Sequence, residues 1–211
     1  MKLPLKLKST STLAFCTAML LAAGCSSTPD RYYTLAEPGR PGAPADLAAP
    51  LFIELAPLAV PERLARPQMV VRRAGNAPNA EVDVLEQHRW ASSFESELRD
   101  ALASGIAGRL GAIDVTKGGQ QPARPAWRIA VQVRQFDAVE ATRVDAALSW
   151  TVRRSDSDRS ANCQWSATEP VGPGMEALAQ GAQRLTARAA DAVARHVNAL
   201  QADPTLGCSG A

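Results

Sequence analysis

Cys25 is the residue whose chemistry the sequence specifies most clearly. It ends the segment Leu21–Cys25, in which an apolar run from Leu13 to Ala23 finishes, and three lysines within the first eight residues precede that run. A basic segment, an apolar segment and small residues, in that order, are typical of an export signal. The ending LAAGC is typical of a lipobox, in which the cysteine sulfur is the nucleophile that takes up the lipid. We therefore expect cleavage before Cys25 and its acylation with fatty acids such as palmitate.

Two other interpretations of this segment are weaker. One is an ordinary secretory signal with a chance cysteine, and the other is a transmembrane helix. A spanning helix needs about 20 apolar residues, whereas this run is shorter and no basic cluster follows it. Ser26 follows the cysteine where Gram-negative lipoproteins retained at the inner membrane usually carry aspartate. We therefore expect a protein anchored by lipid to the periplasmic face of the outer membrane.

Cleavage would leave 187 of the 211 residues and remove three lysines, so the mature chain would carry 20 basic and 21 acidic residues. Such a balance gives no basic field for nucleic acid. We expect a signal peptide over 1–24, a lipidated tether with a Pro/Gly-rich loop or linker over 25–50, one periplasmic domain over 51–202, and a tail over 203–211. If the patch 32–35 pairs with the later sheet, the Pro/Gly-rich segment is an internal loop. If it does not, folding starts near Leu51.

Only two cysteines remain for redox chemistry once Cys16 leaves with the signal and Cys25 carries lipid. Cys163 and Cys208 are an even pair in an exported chain, which favours a disulfide that ties down the C-terminal tail. The alternative is two independent thiols, one buried on a strand and one in the tail.

Hydrophobic spacing predicts the elements that position these residues. Alternation predicts a strand from Leu51, a hairpin over 68–85, and three strands that form an antiparallel meander over 127–168, with a bulge or strand end at Phe136. A capping box over Ser92–Glu95 begins one amphipathic helix, and a second helix runs over 175–200. We expect an α+β fold: a mainly antiparallel sheet of five to seven strands with two amphipathic helices packed on one face.

Catalytic chemistry is nearly absent from the sequence. His88 is predicted at a strand-to-helix junction and His196 on a helix surface, and neither has a cysteine, histidine or carboxylate at metal-ligand spacing. The nucleophile elbow, the phosphate loop and the dinucleotide fingerprint are all missing. We therefore expect no enzyme, no metal site and no cofactor.

The open face of the predicted meander carries four arginines, Arg128, Arg134, Arg143 and Arg153. Arginine suits bidentate contact with phosphate or carboxylate. The face is therefore a candidate for binding an acidic partner or lipid head groups, and the alternative is a solvated sheet face.

Several of these features together resemble the PqiC-like ABC-type transport auxiliary lipoproteins. They are the lipobox, the patch 32–35, the strand that precedes Pro61, and above all Arg89–Ala91 before the Phe94–Leu110 helix. The resemblance spans most of residues 25–200. It implies a periplasmic α+β domain, without catalytic residues, that partners an inner-membrane ABC transporter and an MCE-domain protein in carrying phospholipid between membranes. Only Cys25 carries over as a functional position, with Trp90 and Phe94 as core. The sequence leaves open whether the chain forms a homo-oligomer, although a ring of copies around a transport tunnel would suit this role.

Two other functions remain open at this point. A structural or assembly lipoprotein of another envelope complex would share the anchor and the lack of a reaction centre. An enzyme would require a deep pocket that gathers one of the two histidines with a carboxylate.

Overall fold

The computed structural model describes residues 28–37, 50–73, 75, 80–118 and 125–208. Cys25 and the expected signal lie outside these ranges. Within them the chain forms eight strands and two α-helices, with a 3-10 turn at Glu62–Leu64. The elements are β1 (Arg31–Tyr33), β2 (Leu51–Leu55), β3 (Gln68–Arg72), β4 (Asp83–Trp90), α1 (Phe94–Leu110), β5 (Ala112–Asp114), β6 (Ala126–Val139), β7 (Arg143–Arg154), β8 (Ser160–Pro170) and α2 (Met175–Ala202).

Strands β6, β7 and β8 form the predicted antiparallel meander. Val131 lies opposite Trp150, and Trp150 lies opposite Cys163. The register shifts between Val133 and Gln135, which is the irregularity predicted near Phe136. The extra residue restores Phe136 to the buried face, where it is only 6% exposed. β3 and β4 form the predicted antiparallel hairpin.

The expectation of a mainly antiparallel sheet of five to seven strands is wrong on two points, because the sheet is mixed and has eight strands in the described ranges. One edge of β6 pairs along its length with β7. The other edge pairs in parallel with β2 at its start and with β3 at its end. β1 pairs in parallel with β4, and β5 with β2. Each parallel pair is joined by a long crossover segment, such as the one with β3, β4 and α1 between β2 and β5, which lets the second strand run in the same direction as the first.

The N-terminal patch belongs to the fold, so the sheet begins before residue 51. β1 pairs with β4, and Leu35 is 1% exposed within the core. Glu97 on α1 accepts hydrogen bonds from the Leu35 N–H at 3.1 Å and the Thr34 hydroxyl at 2.8 Å. Gln183 on α2 donates to the Thr34 carbonyl at 2.8 Å. Side chains from both helices therefore hydrogen-bond to the N-terminal patch and hold it against the sheet.

Helix α1 begins one residue later than the predicted capping box implies. Its N-cap is Ser93, whose side chain accepts the Ser96 N–H at 3.2 Å. The Ser93 hydroxyl also donates to the Ser96 hydroxyl at 2.9 Å. Gly111 ends the helix in the left-handed region, with φ of 59°, which is typical of a glycine C-cap.

Both helices cover one face of the sheet and also pack on each other. A Cβ on Gly105 of α1 would lie 2.9 Å from the Ala190 Cβ on α2, so the missing side chain permits the close approach of the two helices. Trp90, Phe94 and Phe136 pack as neighbours, with ring centroids 6.0 Å and 4.9 Å apart along the series. These contacts join β4, α1 and β6 in a continuous hydrophobic core.

Candidate functional site

The side of β6, β7 and β8 turned away from the helices is an open polar face. Along these strands, buried apolar residues alternate with exposed or half-buried polar ones. The centre of the face is neutral: Thr151 donates to the Asn162 side chain at 2.6 Å, and Ser149 lies 3.5 Å from Gln132. A shallow groove of about 580 Å³ runs over this centre. Its lining includes Pro57, Ala59, Ala130, Gln132, Ser149, Thr151, Asn162 and Gln164.

Two of the four predicted arginines meet at one end of the groove. Arg128 and Arg153 are directly opposite each other on β6 and β7. Glu54 of β2 lies opposite Arg128 on its other side and pairs with it at 2.9 Å. Among the described residues Arg153 has no carboxylate partner, so this end of the face carries a net positive charge. Sequence reasoning missed Glu54 because its parallel strand comes from a distant part of the chain.

The other two arginines lie elsewhere on the face. Arg134 sits at the β6 bulge, and Arg143 begins β7, where Asp145 pairs with it at 2.8 Å. Ten residues of extended strand separate Arg143 from Arg153, or about 34 Å at 3.4 Å per residue. Asp137 and Asp145 are opposite each other near Arg143, and Arg63 pairs with Asp137 at 3.1 Å. The four arginines therefore do not form one cluster, and the face is positive at one end and mixed at the other.

His196 does not lie on the helix surface as predicted, because the packing of α2 on β7 buries it to 5% exposure. The Trp150 indole N–H donates to its Nδ1 at 2.9 Å. Its Nε2 has no hydrogen-bond partner in the described part of the chain. Burial lowers the pKa of His196 below 6.5, which favours the neutral ring. The sequence contained the information for this burial, because His196 falls three residues after Val193 and four before Leu200, on the apolar face of the helix.

His88 lies in β4 and also contacts an aromatic residue. Its Nδ1 is 2.9 Å from the Tyr33 hydroxyl, and the two rings stack with centroids 5.9 Å apart. The described ranges contain no group of histidine, cysteine and carboxylate residues that could hold a metal ion. Hydrogen bonds to aromatic side chains position both imidazoles within the fold. What the described surface offers chemically is a polar groove with a positive end, which suits binding.

A disulfide joins Cys163 on β8 to Cys208 in the tail, with Cα atoms 5.2 Å apart. The tail leaves α2 at the Asp203 C-cap, and Leu206 within it is 40% exposed. The cross-link therefore holds an otherwise exposed segment beside the last strand of the sheet.

Cys25 falls outside the described residues, so its environment is not part of the structure. Neither described helix combines the length and the apolar content that crossing a bilayer requires.

Comparison with known proteins places these features in a wider group. Residues 33–194 match the family described as the ABC-type transport auxiliary lipoprotein component. A search of curated proteins gives no match. An uncharacterised protein of known structure is similar over 81% of this chain and 99% of its own, with a TM-score of 0.63 and 15% identity. A DUF330 protein from Xanthomonas campestris is similar over 83% and 99%, with a TM-score of 0.58 and 16% identity. At these identities the structural likeness shows the fold alone.

Proposed function

Because the chain belongs to the family of ABC-type transport auxiliary lipoprotein components, we propose that it is a non-catalytic partner of an ABC transporter that moves phospholipid between membranes. In this proposal, lipid on Cys25 anchors the mature protein to the periplasmic face of the outer membrane. Its partners are an inner-membrane ABC transporter and an MCE-domain protein. The finer points, namely the outer membrane, the MCE partner and the phospholipid cargo, rest on the lipobox and on the resemblance in the sequence.

The extent of the family match carries the proposal. The match begins at Tyr33 in β1 and ends at residue 194 in α2. It therefore runs from the last residue of β1 through β2–β8, all of α1 and most of α2, rather than over one short motif. A match of this extent supports a role for the whole domain.

The physical character of the domain supports the same role. About 0.8 kcal/mol per buried CH₂ makes a multiply acylated cysteine a stable anchor, and the Cys163–Cys208 disulfide suits an oxidising compartment. The open face presents a neutral groove beside Arg128 and Arg153. We expect this face to meet an acidic surface of the transporter complex, because Arg153 has no carboxylate partner in the described ranges.

Affinity purification tests the proposal. A tagged copy is recovered from gently solubilised membranes, and the proteins that accompany it are identified by mass spectrometry. We expect an MCE-domain protein together with its ABC permease and ATPase. A Cys25→Ala variant should lose membrane association, and recovery of only wall- or membrane-assembly components would refute the transport role in favour of an assembly lipoprotein.

A second variant tests the groove as the docking surface. Ser149→Glu places a negative charge in the middle of the groove, against the acidic surface expected there, whereas Gln201→Glu adds the same side chain on the exposed end of α2. Ser149→Glu should reduce recovery of the transporter, and Gln201→Glu should leave it unchanged. Equal recovery with both variants would place the docking surface elsewhere.

A further inference from the structure

The proposed anchor restricts how far the domain can stand from its membrane. Cys25 precedes Arg31, the first residue of β1, by six positions. A fully extended chain spans at most about 3.3–3.6 Å per residue, so this tether reaches only about 20 Å. A folded domain of about 160 residues has a radius of gyration of about 15 Å, so it is at least about 30 Å wide. The tether is thus shorter than the domain is wide, and β1 must lie near the lipid surface.

The register of β1 shows in which direction the tether leaves the sheet. β1 pairs in parallel with the end of β4, with Arg31 opposite His88 and Tyr33 opposite Trp90. The chain before Arg31 therefore heads toward the start of β4. Asp30 is already close to this strand, 3.9 Å from the Arg89 side chain. Continued in an extended form, six residues lead from the level of His88 to about the level of Val82.

Exposed apolar side chains concentrate along this same path. Four large hydrophobic residues of the described ranges are exposed, and three of them are Tyr32 at 62%, Val82 at 37% and Val84 at 38%. Val84 pairs with Val70, whose neighbours Met69 and Val71 are buried on the helix side, so Val84 points to the other face. Tyr32 points to that face too, because Tyr33 packs toward the core. These residues form a stripe on one face of β1 and β4 that is apolar at its two ends, with Tyr32 opposite Arg89 and the two valines at the start of β4, and that carries the Arg89–Glu86 ion pair between them.

We propose that this stripe of Tyr32, Val82 and Val84 is the surface that rests on the lipid bilayer holding the acylated Cys25. The proposal rests on the anchoring part of the proposed function. Tyrosine is enriched at membrane interfaces, where its ring is apolar and its hydroxyl stays hydrated. The occupant is the bilayer because a tether of at most about 20 Å ends there and Asp30 already lies beside β4.

Site-specific labels measure this contact directly. The full lipoprotein is reconstituted in vesicles of phosphatidylethanolamine and phosphatidylglycerol that contain a spin-labelled lipid as quencher. An environment-sensitive dye is attached through Val84→Cys or, as a matched control on β8, through Ser166→Cys. Under non-reducing conditions the acyl chain and the disulfide block the native cysteines. We expect a blue shift and strong quenching of the dye at position 84 and neither change at position 166.

A second comparison tests whether the stripe itself, and not only the tether, brings position 84 to the bilayer. Tyr32→Asp should reduce quenching at position 84, whereas Leu206→Asp, a charge added to an exposed residue of the tail, should not. An unchanged signal with Tyr32→Asp, or equal quenching at positions 84 and 166, overturns the proposal. A signal at position 84 that changes only when the transporter is added assigns the stripe to a protein partner instead.

These vesicles contain no transporter, so their result is independent of the transport role. Mass spectrometry of the same protein checks the lipid on Cys25. An unmodified Cys25 overturns both the anchor and the stripe. An acylated Cys25 with a solvent-exposed dye at position 84 overturns the stripe alone and leaves the proposed function standing.

Discussion

Replacing His196 with glutamine should remove a specific pH dependence of stability. His196 is 5% exposed, accepts the Trp150 N–H at Nδ1 and has no described partner at Nε2. A protonated ring would lose the Trp150 hydrogen bond and would place an uncompensated charge in the core. Burial accordingly lowers the pKa of His196 in the folded state. Glutamine retains an oxygen that can accept the indole N–H, but it does not titrate.

The sign and size of the effect follow from proton linkage. Because the folded pKa lies below the unfolded value of about 6.5, the unfolded chain binds more protons between the two values. Stability is complete above about pH 6.5 and falls as the pH drops toward the folded pKa, by at most about 1.4 kcal/mol per pH unit. Hydrogen bonds from Arg154 and Thr205 also lower the pKa values of Asp156 and Asp203, respectively, below the ordinary value of 3.8. Their contributions disappear only in more acid solution, so the window below pH 6.5 isolates His196.

Urea unfolding followed by tryptophan fluorescence measures the effect at a series of pH values from about 5 to 8. The wild type should lose stability relative to His196→Gln as the pH falls from 6.5. A Gln201→His control, which puts an imidazole on the exposed end of α2, should show no such difference from the wild type. Parallel pH profiles for the wild type and His196→Gln would refute the assignment of a buried neutral histidine.

Three further changes test packing, cross-linking and capping, each by urea unfolding. Gly181→Ala places a Cβ far inside the van der Waals contact distance from Val171 Cγ1. Overpacking costs about 1–3 kcal/mol against a gain of about 1 kcal/mol in helix propensity, so a net loss is expected, whereas Gly172→Ala enters open space and should be tolerated. Cys208→Ser removes a cross-link between residues 45 apart and should lower stability by up to about 4 kcal/mol, as should reduction of the wild type. A reductant that leaves the wild type unchanged would contradict this. Ser93→Ala removes the acceptor for a first-turn N–H of α1 and should cost about 1 kcal/mol, and no loss would show that the cap is dispensable.

The meander could be predicted from the sequence because each of its strands is specified by the alternation of residues that are adjacent in the chain. Between Trp127 and Val133 every second residue is apolar, and the same period continues through β7 and β8. One buried face and one hydrated face produce this pattern wherever a strand pairs. Phe136 falls out of phase, and the structure places the bulge there. The two helices carry an equally local signal in their three- and four-residue spacing.

The parallel half of the sheet could not be predicted in the same way. The alternation of β2 is the same whether the strand pairs in parallel or antiparallel, and it does not reveal that β6 offers one edge to both β2 and β3. β5 has only three residues, too few to show a period. The positive end of the candidate surface depends on this distant pairing, because Glu54 neutralises Arg128, while no carboxylate of the described residues pairs with Arg153.

The order of the strands connects the proposed membrane contact to the proposed docking face. The path from β1 to β8 runs through β4, β3, β6 and β7. Five steps of about 4.8 Å separate these two edges by about 24 Å. A tether of about 20 Å at β1 holds the first edge at the bilayer, while the groove over β6, β7 and β8 lies toward the opposite edge. The stripe and the groove lie on the same face of the sheet, but a twist of about 20–25° at each of the five steps turns that face by about 100–125° between β1 and β8. An incoming periplasmic partner therefore reaches the groove from a different direction than the lipid surface, which explains how one small sheet can serve an anchor and a partner at once.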